Sequence, residues 1–538
     1  MHFALTKGRR LPPLLFASAL IWGVATADAA VWSPDFNISG GDVQETYTSL
    51  NGQRSSAVDD SNNLYIAFFD NRNKVGSNNN FEIYFRRFVF NFGSPSITRV
   101  TNAYNPSRYP SLAIRNWGET DSTTVSDSGR VYIAWQDSRL FSIPSAGEPK
   151  SYTIFFRTFQ SRGGVGFGPE FQVSPYDSVS VATSPVLARG DSSRVWIVWQ
   201  KAPTEGGNPD LWYAIYNTTT RTVGATVQLT NDFAFSGSPS IVTTRTGVVH
   251  VVWVDTRTGT SQIWTKRFVP GTGWTADQQL VFSTGAASQP SLGVSRSGRV
   301  HLVWRDIRDG NYEIYYKEYL PGTGWNAADV RLTTNALTQS EPNIDSDPVD
   351  NLYVVWTDQR NGPTNPDIFY QERKGGVWQG DVPLVSSASD TTNSIQQFPT
   401  IAHDGVASLF VAWTDHRLPA TFGKNREVYY KVGTGFVTGV EAGAAPPLAR
   451  LLRNYPNPFN PATKIVFRID RDAQTSLRVF DVRGRLVRTL VDSYLGAGQR
   501  TVEWDGRDDS GHSVASGTYY MRLEGGGSYA SKTINLLK

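Results

Sequence analysis

Residues 300–319, VHLVWRDIRDGNYEIYYKEY, read as an apolar strand, a charged turn and a second strand rich in aromatics. The opening of this hairpin occurs seven times in the 538 residues: LYIAFFDNR from 64, VYIAWQDSR from 131, VWIVWQKAP from 195, VHVVWVDTR from 249, VHLVWRDIR from 300, LYVVWTDQR from 352 and LFVAWTDHR from 409. Successive starts lie 67, 64, 54, 51, 52 and 57 residues apart. That period suits a four-stranded propeller blade and exceeds the helical repeats of about 34 residues.

The remaining strands of each unit follow from the alignment. A short strand precedes the hairpin, as in YPSLAI, SPSIVT, QPSLGV, EPNIDS and FPTIAH, with Pro110, Pro239, Pro290, Pro342 and Pro399 expected at the strand start, where a missing N–H is harmless. After the charged turn comes a strand such as EIYYKEY or DIFYQER, and a fourth follows a Gly-Trp turn, as in PGTGWNAADVRLT. The second strand is apolar at every position rather than alternately, so both of its faces need cover. Neighbouring blades of a propeller supply it.

The seventh unit has no fourth strand of its own: after EVYYKVGTGF the sequence becomes VTGVEAGAAPP. VWSPDFNIS, from residue 31, resembles VWQGDVPLVSS from 377. Residues 31–39 are therefore expected to complete the last blade and remove the open edge of the ring.

Six units carry Asp-x-Arg after the Trp or Phe: Asp70/Arg72, Asp137/Arg139, Asp255/Arg257, Asp306/Arg308, Asp358/Arg360 and Asp415/Arg417. A catalytic group is needed once, so a feature repeated in this way describes the repeat. Each Asp is expected to cap the turn, and each Arg to clamp an acidic or polar residue at the start of the next strand (Glu82, Glu313, Asp367, Glu427). The third unit departs, with Lys201 and Pro203 in the two positions, a change read as drift rather than specialisation.

His250 and His301 occupy a strand slot held elsewhere by Tyr65, Tyr132, Trp196, Tyr353 and Phe410, which makes them packed aromatics. No metal-ligand spacing appears, so neither a metal nor another cofactor is expected. The loops between the second and third strands vary: NKVGSNNNF, LFSIPSAGEPKS, KAPTEGGNP, NGPTNP and LPATFGKN stand against the tight TGTS and DGN. Variable loops on a rigid repeat are either where recognition is built or surface insertions that the fold tolerates.

The composition agrees with an all-β chain: 48 Gly, 29 Pro, 16 Trp, 23 Tyr and 28 Phe. There is no cysteine, hence no disulfide, thiol nucleophile or thiolate metal site. Residues 1–30 have the layout of a cleaved secretory signal, with Lys7, Arg9 and Arg10 before the apolar run Leu14–Val24 and small residues after it. That run is too short for a transmembrane anchor. Removing Lys7, Arg9, Arg10 and Asp28 takes the formal charge from +3 to +1, which sets nucleic acid aside as a partner.

From residue 40 to about 435 the pattern S-x-x-P-S-I, V-x-V-V-W-x-D-x-R, E-I-Y-Y-K resembles the bacterial sialidase-like, BNR-type propeller superfamily. The sialidase Arg-Ile-Pro motif and a clean Asp-box are missing, so that activity is carried to no residue. Residues 451–538 resemble the C-terminal sorting domain of type IX secretion cargo and, equally, the Ig-like domain of flagellar hook-capping proteins. The motif is NYPNPFNP (Asn454, Pro456, Asn457, Pro458, Phe459, Asn460, Pro461), with EWDG (Trp504, Asp505, Gly506) further on. The resemblance implies contact with a secretion machinery through residues 451–538. From the residues themselves, TKIVFRI, SLRVFDV, RTVEWDG and TYYMRL are strands of a small sandwich with Trp504 and Tyr519 in its core.

The expected organisation is a signal peptide (1–30), a seven-bladed β-propeller closed by an N-terminal strand (31–437), a linker (438–450) and an Ig-like C-terminal domain (451–538). The expected function is recognition of a carbohydrate or protein ligand through the loop face, in a protein secreted or held at the outer cell surface. The alternatives are a sialidase-like glycoside hydrolase or other carbohydrate-active enzyme with a diverged site, and a purely structural surface component.

Overall fold

A computed structural model describes residues 31–537 except 34, 40–44, 50–53, 60–62, 73–79, 90–96, 115–129, 142–150, 161–165, 191–192, 386–393, 405–407, 418–425, 435–448, 470–471, 482–484 and 526–527. The expected signal segment and most of the expected linker lie outside the described residues. The chain divides into two compact units, Met1–Thr438 and Gly439–Lys538.

The first unit is a seven-bladed β-propeller made of seven separate antiparallel sheets. In the fifth blade Ala287–Val294 is innermost, Val300–Asp306 and Glu313–Leu320 follow outward, and Gly324–Trp325 with Val330–Arg331 forms a broken outer strand. Val300 to Trp304 are buried without a break, as continuous cover from adjacent blades requires. The ring closes as the sequence predicts. Val31–Trp32 and Phe36–Asn37 both pair with Glu427–Thr434, the third strand of the last blade.

The prolines correct one expectation. Pro110 is the fourth residue of Ser107–Ile114, and Pro239, Pro290, Pro342 and Pro399 take the same place in their inner strands, three residues after the start. Each sits in a bulge, where the missing N–H breaks no ladder bond. In the second blade Arg108 pairs with Gln136 and Ser111 with Ala134, so Tyr109 and Pro110 together face Trp135. The bulge lies opposite Trp199, Trp253, Trp304, Trp356 and Trp413 in the next five blades. The residue before each proline has φ between 52 and 58°: Tyr109, Ser184, Ser238, Gln289, Glu341 and Phe398. Left-handed backbone costs a non-glycine residue about 1–2 kcal/mol, and here it recurs around the ring at the start of the axial channel.

The second unit is a sandwich of a three-stranded and a four-stranded sheet. The four expected strands are present as Thr463–Ile469, Ala473–Phe480, Gly498–Trp504 and Gly517–Gly525, and Ala449–Tyr455, Leu486–Leu495 and Ser528–Leu536 complete the sheets. Its core holds Phe459, Ile465, Leu477, Trp504, Met521 and Ile534.

Candidate functional site

The repeated charged turn is a hydrogen-bonded unit. In six blades the Asp carboxylate accepts the backbone N–H of the Arg two residues on, at 2.5–3.0 Å. In five of them it also accepts the Trp indole N–H, at 2.8–3.1 Å. The Arg returns a salt bridge to its own Asp and lies over the aromatic ring of the third strand, 3.8–4.6 Å from its centroid.

The partner expected for that Arg is corrected. It is not the acid opening the third strand: Glu82 and Glu313 are held by Arg99 at 2.7 Å and Arg331 at 2.8 Å, while Asp367 accepts from Asn361 and Glu427 from Ser39. In five blades the Arg reaches outward to an acid at the fourth strand. The pairs are Arg139 with Glu170, Arg257 with Asp277 (3.0 Å), Arg308 with Asp329 (2.8 Å), Arg360 with Asp381, and Arg417 with Asp35 (2.7 Å). Because the guanidinium lies flat on the third-strand ring, its free edge points past that strand to the next. Arg72, in the first blade, departs from the expectation in a different way. It does not clamp Glu82; it pairs with its own Asp70 at 2.7 Å and donates to the backbone carbonyl of Ser39, just beyond the closing strand, at 2.9 Å. The third blade has lost all three members together, with Lys201, Pro203 and Thr226 in their places. Lys201 turns instead to Asp177 at 3.3 Å, and the indole N–H of Trp199 has no partner among the described residues.

His250 and His301 are buried in the core. His250 packs edge-on to Tyr319 and His301 is stacked on Tyr316. Burial first, and then the nearby arginines, bring both imidazoles down to about 3. These are neutral packing groups.

In the proline-rich stretch 454–461, Phe459 is the buried residue between exposed Pro456, Asn457, Pro458, Asn460 and Pro461. Its ring lies 5.3 Å from Trp504, which lies 5.1 Å from Tyr519. The Asn457 side chain accepts the N–H of Asn535 at 2.9 Å, and Asn454 donates to Thr463 at 3.4 Å. Asp505 caps the N–H of Arg507. Gly506 has φ 69°, and a Cβ there would stand 3.1 Å from the Pro461 carbonyl oxygen, so Gly506 and the proline motif fit together only with glycine. These residues build the sandwich.

What remains is the propeller face where one blade passes to the next and second strands turn into third strands. Of the variable loops there, 201–209 and 361–366 are described; 418–425 and most of the other two lie outside the described residues. The blade-to-blade loops supply what sequence reading missed. Each of the first five carries an exposed apolar side chain: Tyr104 (82% exposed), Tyr176, Phe233 (fully exposed), Phe282 (73%) and Leu337.

The loops beneath these side chains are pinned. Ala103 donates its N–H to Glu82 at 2.9 Å, and Asn105 donates to the Ser138 carbonyl at 3.1 Å. The Phe233 carbonyl accepts from Asn208 at 3.0 Å, and Asp232 beside it pairs with Arg257 at 2.7 Å. Ser283 donates its N–H to Gln262 and its hydroxyl to Asp306. The Leu337 carbonyl accepts from Asn311 at 2.8 Å. Exposed rings on held backbone offer apolar contact at little entropic cost on binding.

Inside this circle lies a polar rim at the channel mouth, made by the residue between Trp and Asp of the second strand and the bulge of the following blade. Gln136 accepts the N–H of Ser184 at 3.2 Å, and Gln200 that of Ser238 at 2.8 Å. Glu341 accepts from Thr357 at 2.7 Å and from the N–H of Phe398 at 2.8 Å, while donating its own N–H to Gln289 at 2.7 Å. Burial pushes its carboxyl above the ordinary carboxylate range, against these hydrogen bonds and the nearby Arg305 charge. Arg305 donates to Ser288 at 2.9 Å and covers the ring of Tyr312.

Residues 457–528 match the family model of the FlgD Ig-like domain. No curated protein matches the sequence. Among solved structures, a protein of unknown function from Dyadobacter fermentans is similar at 10% identity, with 75% of this chain and 99% of that one covered and a TM-score of 0.45. An α-L-arabinanase from Penicillium chrysogenum complexed with arabinobiose is similar at 13% identity over 75% and 99% of the two chains, TM-score 0.41. The intramolecular trans-sialidase from Ruminococcus gnavus is similar at 12% identity over 62% and 96%, TM-score 0.38. No functional residue is carried over from them.

Proposed function

We propose that the propeller is a recognition module that binds a carbohydrate through its loop face, in an exported protein whose C-terminal domain serves secretion or surface attachment, as in type IX cargo. The observation that carries the binding reading is the circle of exposed apolar side chains on pinned loops. The rings stand on separate blades with polar groups between them. Isolated ring faces stack on the apolar faces of sugar rings, while the rim of Gln289, Arg305 and Tyr312 offers donors and acceptors for hydroxyls. A protein ligand is the other occupant such a surface accepts.

The test is a glycan array probed with the full chain, with recovered glycans weighed for cleavage. Binding without mass loss, weakened about tenfold by Phe233→Ala or Phe282→Ala with thermal stability unchanged, supports the reading. Mass loss would promote the carbohydrate-active enzyme, for which the raised carboxyl of Glu341 is the acid to mutate first. Equal binding by wild type and both variants would end the ring-face proposal. For export, removal of residues 451–538 should strand the protein in the cell envelope, and normal release of the truncated chain would overturn that part.

A further inference from the structure

The channel has a second end. The inner strands of six of the seven blades, all but the third, contribute to a cavity of about 120 Å³ where those strands finish, at the opposite end from the mouth. Arg54, in the first blade, stands where the other inner strands have proline. Its guanidinium crosses the axis to the carbonyl of Ile344 at 3.1 Å and to Asp345 at 3.3 Å. Arg245 and Arg296 come from matching turns of the fourth and fifth blades, Thr-Arg-Thr-Gly and Ser-Arg-Ser-Gly, and line the same cavity.

The hydrogen-bonding capacity left over is unequal. Both carboxylates in the wall are engaged. Asp345 takes Arg54 and the N–H of His403, and Asp347 takes the N–H groups of Val349 and Asn351, the Asn351 amide and the Tyr353 hydroxyl. Among the described residues, Arg245 and Arg296 have no hydrogen-bond or ion-pair partner, and both are exposed. Thr243 adds an independent sign: only 4% of it is exposed, it lines the cavity, and its hydroxyl has no hydrogen-bond partner among the described residues. A buried hydroxyl left unpaired at a cavity wall calls for a ligand atom.

We propose that this end of the channel binds a small oxyanion, the group shared by carboxylates, sulfates and phosphates, held by Arg245 and Arg296 with Thr243 donating from the wall and Arg54 at the inner end. Free guanidinium edges match the paired oxygens of such groups. The site is separate from the loop face and does not depend on what binds there.

The test is thermal unfolding of the full chain at constant ionic strength, titrated with sodium sulfate, phosphate or glucuronate against sodium chloride. A ligand that binds only the folded state raises the transition saturably with its concentration. At least one of the three anions should do so, and the strongest identifies the source as a sulfated, phosphorylated or uronic ligand. The double variant Arg245→Ala/Arg296→Ala should weaken that response about tenfold or more, whereas Arg221→Ala, on an exposed turn outside the cavity, should leave it intact. Thr243→Val should unfold at higher temperature without anion, having lost an unpaired buried hydroxyl, and should respond less to it. General salting effects of sulfate and phosphate act on all variants alike. Curves that coincide for wild type and the double variant with all three anions would overturn the proposal.

Discussion

Arg417 donates to the carboxylate of Asp35 at 2.7 Å, joining the last charged turn of the ring to the link between the two closing strands, Val31–Trp32 and Phe36–Asn37, from the other end of the chain. Lys431 meets the other oxygen of the same carboxylate at 2.9 Å. Asp329 plays this part between Arg308 and Lys317 within a single blade. The closing blade therefore uses the same ion cluster as an ordinary one, assembled from distant segments.

Asp35→Ala leaves two cations without their shared acid and should lower stability by about 3 kcal/mol, the scale for removing one partner of a largely buried pair. Deletion of residues 31–39 should lower the unfolding temperature of the whole propeller in one cooperative step, measured by calorimetry. Unchanged unfolding after the deletion would contradict the closure.

Trp356→Phe and Trp199→Phe make the same change in two blades. Trp356 donates to Asp358 at 2.8 Å, whereas the indole N–H of Trp199, where Lys201 replaces the acid, has no partner among the described residues. The loss at 356 should exceed that at 199 by about 1.5–3 kcal/mol, the worth of a hydrogen bond to a charged group. Denaturant unfolding of the two variants measures the difference, and equal losses would show that the indole–carboxylate bond adds nothing to ring packing.

Glu341 makes stability depend on pH. Its carboxyl is pushed up by burial, so the folded ring favours the neutral form. The stabilisation this provides is complete below the ordinary glutamate value of about 4.3 and fades as pH rises through the higher folded value. Glu341→Gln should flatten that fall while keeping the acceptor for Thr357 and Phe398. Melting temperatures across this range, compared between wild type and variant, decide the matter; parallel profiles would remove Glu341 as the cause.

Much of this fold could be read in one dimension. The uninterrupted apolar second strand, the repeat period and the likeness of VWSPDF to VWQGDV determine the blade count and the closing strand, because blade architecture is written in local periodicity. Phe459 and Trp504 likewise announce a small sandwich through their own motifs. The tertiary structure decided what depends on contact across the ring. The pairing of Pro with Trp at a left-handed bulge needs the register between two strands. The choice of Asp329 rather than Glu313 for Arg308, and of the Ser39 carbonyl rather than Glu82 for Arg72, needs the direction of a guanidinium lying on a ring. The circle of Tyr104, Phe233 and Phe282, and the meeting of Arg54 with Arg245, Arg296 and Thr243, bring together residues separated by one or several blades. No spacing in the sequence encodes such a meeting, since each blade specifies its own strands while the closed ring alone sets which side chains share the axis.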